Sequence, residues 1–169
     1  MTVETLHDKF VYELQQVYQI ETELVDFLAT LEASTADERI SEAFQKHQRT
    51  SADHARRLKR VFDVLNEEAE PRPSHAVEGI IEDRQAFLSA VEENTDLVDL
   101  YNVGTAMKIE RLEITTYEGL LTHASELDLP NEATDPLENN LADEKTTLRE
   151  LEGITSGSTI QQLLGRLTG

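Results

Sequence analysis

Apolar residues recur at steps of three and four almost from one end of this chain to the other, and no segment alternates apolar and polar with period two. That regularity leaves little room for sheet. Leu6, Phe10, Leu14, Val17, Leu24, Leu28 and Leu31 predict a helix over about 3–32, with Thr2 or Thr5 as its start signal. Ile40, Phe44, Leu58, Val61, Phe62 and Leu65 predict a second over about 36–66. Two prolines in the loop from Asn66 to Ser74 stop it, and Ser74 opens a shorter helix that ends near Asn94. A third long stripe runs through Leu100, Val103, Met107, Ile114, Tyr117 and Leu121 over about 96–125. Beyond the Leu129-Pro130-Asn131 loop, Leu137, Leu141, Leu148 and Leu151 make a fourth, which Gly153, Ser156 and Gly157 end. Ile160, Leu163, Leu164 and Leu167 suggest a terminal helix over about 158–168.

Helices of roughly 20 to 30 residues, about 30 to 45 Å long, fit a four-helix bundle. Short loops join the first helix to the second and the third to the fourth. About 30 residues that include a helix separate the second from the third, and so long a crossover allows the ferritin-like topology. The expectation is an all-α, ferritin-like four-helix bundle forming one domain over 1–169. Its core bundle spans about 3–152, its crossover about 67–95, and a short C-terminal helix follows.

Charge narrows the function. The 169 residues carry 34 Asp and Glu against 15 Lys and Arg, a net −19 at pH 7, so no basic footprint is on offer for nucleic acid or an anionic membrane. The carboxylates are interleaved with regular apolar spacing, unlike a disordered tail, and resemble a halophile's solvated surface. Absence of Cys removes disulfides, thiolate catalysis and Cys-ligated metal. The opening residues from Met1 do not read as a signal sequence, and no apolar run is long enough to span a membrane, which predicts a cytoplasmic protein.

What breaks the stripes is more informative than the stripes. The first is interrupted at Glu21, the second by His47, Ser51 and His54, the third by Glu110 with Glu113 on its adjoining edge, and the fourth by Glu144. Each interruption lies near the middle of its helix, and in an antiparallel bundle the midpoints fall in one layer. Glu21, His54, Glu110, Glu113 and Glu144 are therefore the candidate site. Buried together as bare anions they would be prohibitively costly, so they share protons, recruit Lys108 or Arg111, or bind metal. Their mix of carboxylate and imidazole suits iron or manganese. Glu113 alone reads equally well as an edge residue reaching solvent. His47, about 10 Å from His54 along the helix axis, is too far to share an ion with it, which limits the site to four carboxylates and one histidine.

In order along the chain these residues resemble the YciE/YciF-type family of ferritin-like bacterial and archaeal stress-response proteins. The resemblance rests on Phe10-Val11-Tyr12-Glu13-Leu14, Tyr18, Ile20-Glu21, His47, His54, Arg57-Leu58, Val77-Glu78-Gly79-Ile80-Ile81, Lys108 through Ile114, Tyr117, and Asp143-Glu144-Lys145. It implies a ferritin-like homodimer with a two-metal centre at the positions of Glu21, His54, Glu110, Glu113 and Glu144. Together with the acidic surface it suggests a halophilic archaeal member. The chain departs from the family at Arg49, Thr50 and Ser51, where acidic residues are usual, at Arg111, where a His is common, and at Leu148, where a polar residue is.

Two functions compete. In the first, the layer holds one or two iron or manganese ions and handles iron or reactive oxygen, with Tyr18 and Tyr117 beside it as possible donors or as ordinary core tyrosines. No specific reaction follows. In the second, the chain is a non-enzymatic structural or interaction stress protein whose layer is a metal-free remnant, acting through dimerisation or an unidentified protein partner.

Overall fold

Short local signals set where the helices begin. Thr5 opens α1 (Leu6–Ala33): its Oγ1 accepts from the Asp8 amide at 3.1 Å, and the Asp8 carboxylate accepts from the Thr5 amide at 2.9 Å. Asp37 caps α2 (Glu38–Leu65) by accepting from the Arg39 and Ile40 amides, and Asn66 ends it in the left-handed region at φ 55°. After the proline loop come α3 (His75–Ala90), α4 (Thr95–Glu126) capped by Asn94, α5 (Asn131–Ser156) and α6 (Ser158–Thr168). A computed structural model describes residues 2–92 and 94–168, without the side chains of 158–160 and 163.

The chain is all-helical, as its periodicity predicts, with no strand among the described residues. Three boundaries differ from expectation. The crossover helix ends at Ala90 rather than near Asn94, because Val91 is extended and Asn94 caps α4 instead. The first helix starts at Leu6 because Thr5 is the residue with a completed cap. The fourth stripe does not stop at Gly153: α5 runs to Ser156, since Ile154 packs against the core and outweighs the helix penalty of about 1 kcal/mol for glycine. Of the stripe expected in the terminal helix, Ile160 and Leu163 lie outside the described side chains, as does Met1 at the start, while Leu164 is exposed.

Four helices close a square. α1 packs against α2 and α4, and α5 packs against those same two, so α1 faces α5 across one diagonal and α2 faces α4 across the other. The crossover runs back alongside α1. The Arg72 amide donates to the Gln15 carbonyl near its start, and Arg84 of α3 donates to Ser34 Oγ at the far end of α1. There the Asp99 carboxylate of α4 accepts from the Ala36 and Asp37 amides at 2.9 and 2.8 Å, so α2 and α4 begin at one end of the bundle and run parallel. This up-down-down-up order is the ferritin-like arrangement that the long crossover predicts. No helix among the described residues is long and apolar enough to cross a membrane.

The square encloses two apolar lobes rather than one continuous core. One gathers Leu24, Leu28, Leu31, Ile40, Phe44, Val103 and Ile109, and the other Phe10, Leu14, Leu58, Phe62, Leu120 and Leu137. Between them, from the middles of all four long helices, comes a band of buried polar side chains.

Candidate metal centre

The band contains Glu21 of α1, His47, Ser51 and His54 of α2, Glu110 and Glu113 of α4, and Glu144 of α5, each at most 2% exposed. All five residues expected from the stripe breaks are present, and Glu113 lies inside rather than at an edge. Their potential ligand atoms form two overlapping sets. Glu21, His54 and Glu144 make one, and His47, Glu110, Glu113 and Glu144 make the other, the atoms of each set lying within 4.8 Å of one another. Glu144 belongs to both.

His47 is the residue that sequence reasoning excluded. Its seven-residue spacing from His54 was measured against a single ion, for which about 10 Å is too long. Against two positions side by side along the bundle axis the same spacing is the right one, and His47 Nε2 lies 2.8 Å from Glu110 Oε1. The site therefore offers four carboxylates and two imidazoles. Lys108 and Arg111, expected as cations for the layer, do not reach it. Lys108 Nζ stands 5.6 Å from the centre of the Tyr101 ring, and Arg111 pairs with Glu152 at the surface. Tyr18 packs edge-on against Phe62, away from the layer.

Hydrogen bonding within the band is sparse. His54 Nδ1 is 3.0 Å from Glu21 Oε1 and 2.8 Å from Glu144 Oε1, and Tyr117 donates its hydroxyl proton to Glu21 Oε1 at 2.6 Å. Both carboxylate oxygens of Glu110, Glu113 and Glu144, both ring nitrogens of His47 and Ser51 Oγ have no aligned hydrogen-bond partner. One ligand atom from each of His47, Glu110, Glu113 and Glu144 lies within 4.8 Å of the others, close enough to engage one common centre. So many buried, unpaired polar atoms would each cost about 1–3 kcal/mol if nothing else engaged them.

Electrostatics sorts the groups. Burial, reinforced by repulsion from Glu144 and Glu21, pushes the Glu110 and Glu113 carboxyls well above their ordinary range. Burial also raises Glu21, although the His54 imidazolium opposes it. Burial would lower His54, but Glu21 and Glu144 outweigh it and raise the imidazole to about 10. Burial would likewise raise Glu144, yet contact with His54 and Glu110 holds it down, the reciprocal face of the same interaction. His47 is lowered by burial and stays neutral, so its approach to Glu110 joins two uncharged groups rather than an ion pair. Tyr117, pushed well above its usual value by burial, keeps the proton it donates.

A ring of contacts runs from the layer to the surface and back. Tyr117 accepts from Asn140 Nδ2 at 2.9 Å, and Asn140 Oδ1 accepts from Arg57 Nη1 at 3.1 Å. The same nitrogen donates to Asp143 Oδ2 at 2.6 Å, and that carboxylate oxygen lies 3.3 Å from His54 Nε2. Glu21 and His54, both in the first ligand set, are thus tied to one another through the protein's exterior.

The donor set fits two divalent transition ions. Four carboxylates with two neutral imidazoles balance two double positive charges, and oxygen with nitrogen donors suits iron or manganese. Entry of the ions would displace the protons that Glu110, Glu113 and His54 hold.

Comparison with known proteins agrees with the fold and with the family resemblance. The sequence profile of a family described as "Domain of unknown function (DUF892)" matches residues 5–164. Protein YciF of Escherichia coli (strain K12) is 30% identical over 148 residues, covering 87% of this chain and 88% of that protein. The crystal structure of the E. coli stress protein YciF superposes with a TM-score of 0.83 at 28% identity, covering 90% of this chain and 95% of that one. The YcfI protein of Rhodopseudomonas palustris superposes at 0.84 with 22% identity, over 89% of this chain and 94% of that one, a likeness of fold alone.

Proposed function

The chain belongs to the DUF892 family of YciF-like stress proteins, and from that premise we propose that it is a two-metal carboxylate protein that holds iron or manganese and handles iron or reactive oxygen. One observation carries the reading: two buried ligand sets that share Glu144, in which both oxygens of Glu110, Glu113 and Glu144 and both nitrogens of His47 have no aligned hydrogen-bond partner. Glu21, His54 through Nδ1, and Glu144 would hold one ion, and His47, Glu110, Glu113 and Glu144 the other. Such ions supply one-electron chemistry toward dioxygen or peroxide. The protein's own part is to neutralise their charge, to fix Glu21 through the Tyr117 hydroxyl, and to exclude bulk water with an apolar lobe on either side.

The first set has three protein donors and the second has four. The first position therefore has more room for an outside ligand. Within the same reading the chain acts as a cytoplasmic homodimer adapted to high salt, without nucleic acid or membrane as partner. The metal-free structural alternative would hold the crowded carboxylates by shared protons and by Lys108 or Arg111; those two cations are engaged elsewhere, which leaves it the protons and the His54 imidazolium alone.

The test is anaerobic reconstitution with ferrous iron followed by exposure to air, with bound metal and oxidation rate measured beside a Glu110→Ala, Glu144→Ala double variant. Two ions per chain, lost in the variant, is the expected result. Binding no greater than the variant's background overturns the proposal.

A further inference from the structure

Every ligand of the layer is buried, so ions must pass some group that faces both water and a ligand. Among the described residues one side chain meets that condition. Asp143 is 41% exposed, and its Oδ2 lies 3.3 Å from His54 Nε2. Two other bonds join ligand residues to side chains outside the layer, that of Tyr117 to Glu21 and that of Asn140 Nδ2 to the His54 carbonyl at 3.5 Å, and both lead through Asn140, which is itself buried, to Arg57. Both paths therefore surface at the same place, where Arg57 Nη1 bonds Asp143 and Asn140 together.

Arg57 is 27% exposed on its side chain, and it forms a wall of two open grooves, one on α2 alone and one at the seam of α2 and α5. The first is lined by Asp53, Arg56, Arg57 and Arg60, and the second sets Arg57 and Arg60 of α2 beside Glu132 and Asp135 of α5. We infer that this seam is the cation entrance of the layer, with Asp143 as the outer landing ligand for a divalent ion and the Arg57 guanidinium as the latch that covers it. The inference rests on the two-metal reading and adds the route to it.

The chemistry of the two side chains fits those roles. A half-exposed carboxylate is a hard oxygen donor that a hydrated divalent cation can reach without shedding its whole water shell. From Asp143 an ion stands at the Nε2 edge of His54, whose Nδ1 edge faces Glu21 and Glu144 of the buried set. With Arg57 in place the carboxylate's charge is already matched, so an arriving ion must displace the guanidinium before it can bind. The guanidinium cannot give up its charge, so the latch opens by moving and not by losing a proton. Because Nη1 also holds Asn140, and through it Tyr117 and Glu21, the same displacement frees the partner chain of the first ligand set.

The roles predict opposite signs for two variants, which a general loss of stability would not produce. Loading of the full-length protein with cobalt(II) is followed by stopped-flow absorption, and bound metal is counted at equilibrium. Arg57→Ala should load about tenfold faster than wild type, the factor expected for removing one charge-assisted hydrogen bond. Asp143→Ala should load about tenfold more slowly, and both should still reach two ions per chain. Arg56→Ala removes the same charge from the same groove without touching Asp143 and should load at nearly the wild-type rate. Equal rates in wild type, Arg57→Ala and Asp143→Ala, with two ions bound in each, overturn the entrance and leave the metal site standing. The entrance also fails if Arg56→Ala accelerates loading as much as Arg57→Ala, since charge alone would then explain the effect. A wild type that takes up no cobalt overturns both readings.

Discussion

Replacing Glu113 by leucine should stabilise this protein without metal and weaken it as a metal carrier, and the pair of opposite effects tests the account of the layer. Glu113 is fully buried, neither of its carboxylate oxygens has a hydrogen-bond partner, and its carboxyl is pushed well above the ordinary range by burial and three neighbouring carboxylates. Leucine is larger by about one methylene, a change a core tolerates at modest cost, and it removes both the unpaired polar atoms and the repulsion. Replacing buried ionisable groups by apolar ones commonly gains about 1–4 kcal/mol, and a middle value of about 2 kcal/mol is expected here. For a chain of this size that raises Tm by about 4–8 °C. With metal at a hundred times its Kd, each bound ion adds about 2.7 kcal/mol to the folded state, so a variant that keeps only the ion held by Glu21, His54 and Glu144 shows about half the wild-type gain. The assay is thermal unfolding by circular dichroism, first in chelator and then in manganese, with bound metal counted in parallel. A Glu113→Leu variant that melts several degrees below wild type in chelator would refute the reasoning, because it would mean that the carboxyl is held by favourable interactions.

Tyr117→Phe removes a 2.6 Å hydrogen bond to Glu21 and leaves Asn140 Nδ2 short of an acceptor, and should cost about 1–2 kcal/mol in urea unfolding while two ions still bind. Asp99→Ala strips the caps from the Ala36 and Asp37 amides where α4 meets the start of α2, and should cost about 1–3 kcal/mol in the same assay with no change in metal content. The pH profile follows from the raised groups. Stability that the His54 imidazolium contributes is fully present below its unfolded value near 6.5 and is lost as pH rises towards about 10, and the raised carboxyls Glu21, Glu110 and Glu113 act in the same direction above their ordinary value of 4.5. Protein in chelator should therefore lose Tm from pH 6.5 to 10, whereas metal affinity, which requires those protons to leave, should rise over the same range. Calorimetric titrations in buffers of different ionisation enthalpy measure the protons released, and their absence would contradict the assignment.

The bundle was legible in the sequence because its helices bury continuous stripes, and a polar residue on such a stripe has nowhere to go but inward. Glu21, Glu110 and Glu144 could be found in this way, one helix at a time. Glu113 could not be separated from an edge residue, since three residues from Glu110 it lies inside or outside according to how α4 rolls against its neighbours. His47 was visible as a break in its stripe but was excluded on distance, because a spacing judges a ligand only once the number of ions is fixed. Sharing of Glu144 depends on the height of α5 relative to α2 and α4, which no single helix encodes. Arg57 and Asp143 lie on faces that read as solvated surface. Beyond their place in the motifs that carry the family resemblance, their sequence signal is proximity, Arg57 three residues after His54 and Asp143 beside Glu144.

The division of the interior into two apolar lobes bears on how the molecule comes apart. Each long helix threads both lobes, but side-chain cohesion is interrupted at mid-height, where Glu110, Glu113 and Glu144 meet without bonding. Without metal, the two ends of the bundle should then open as separate cooperative units. Ions in the layer would act as rivets between them, one set drawing on α1, α2 and α5 and the other on α2, α4 and α5. Amide hydrogen exchange records the difference: with the layer stripped of metal the two ends open with distinct free energies, and with it filled they open together.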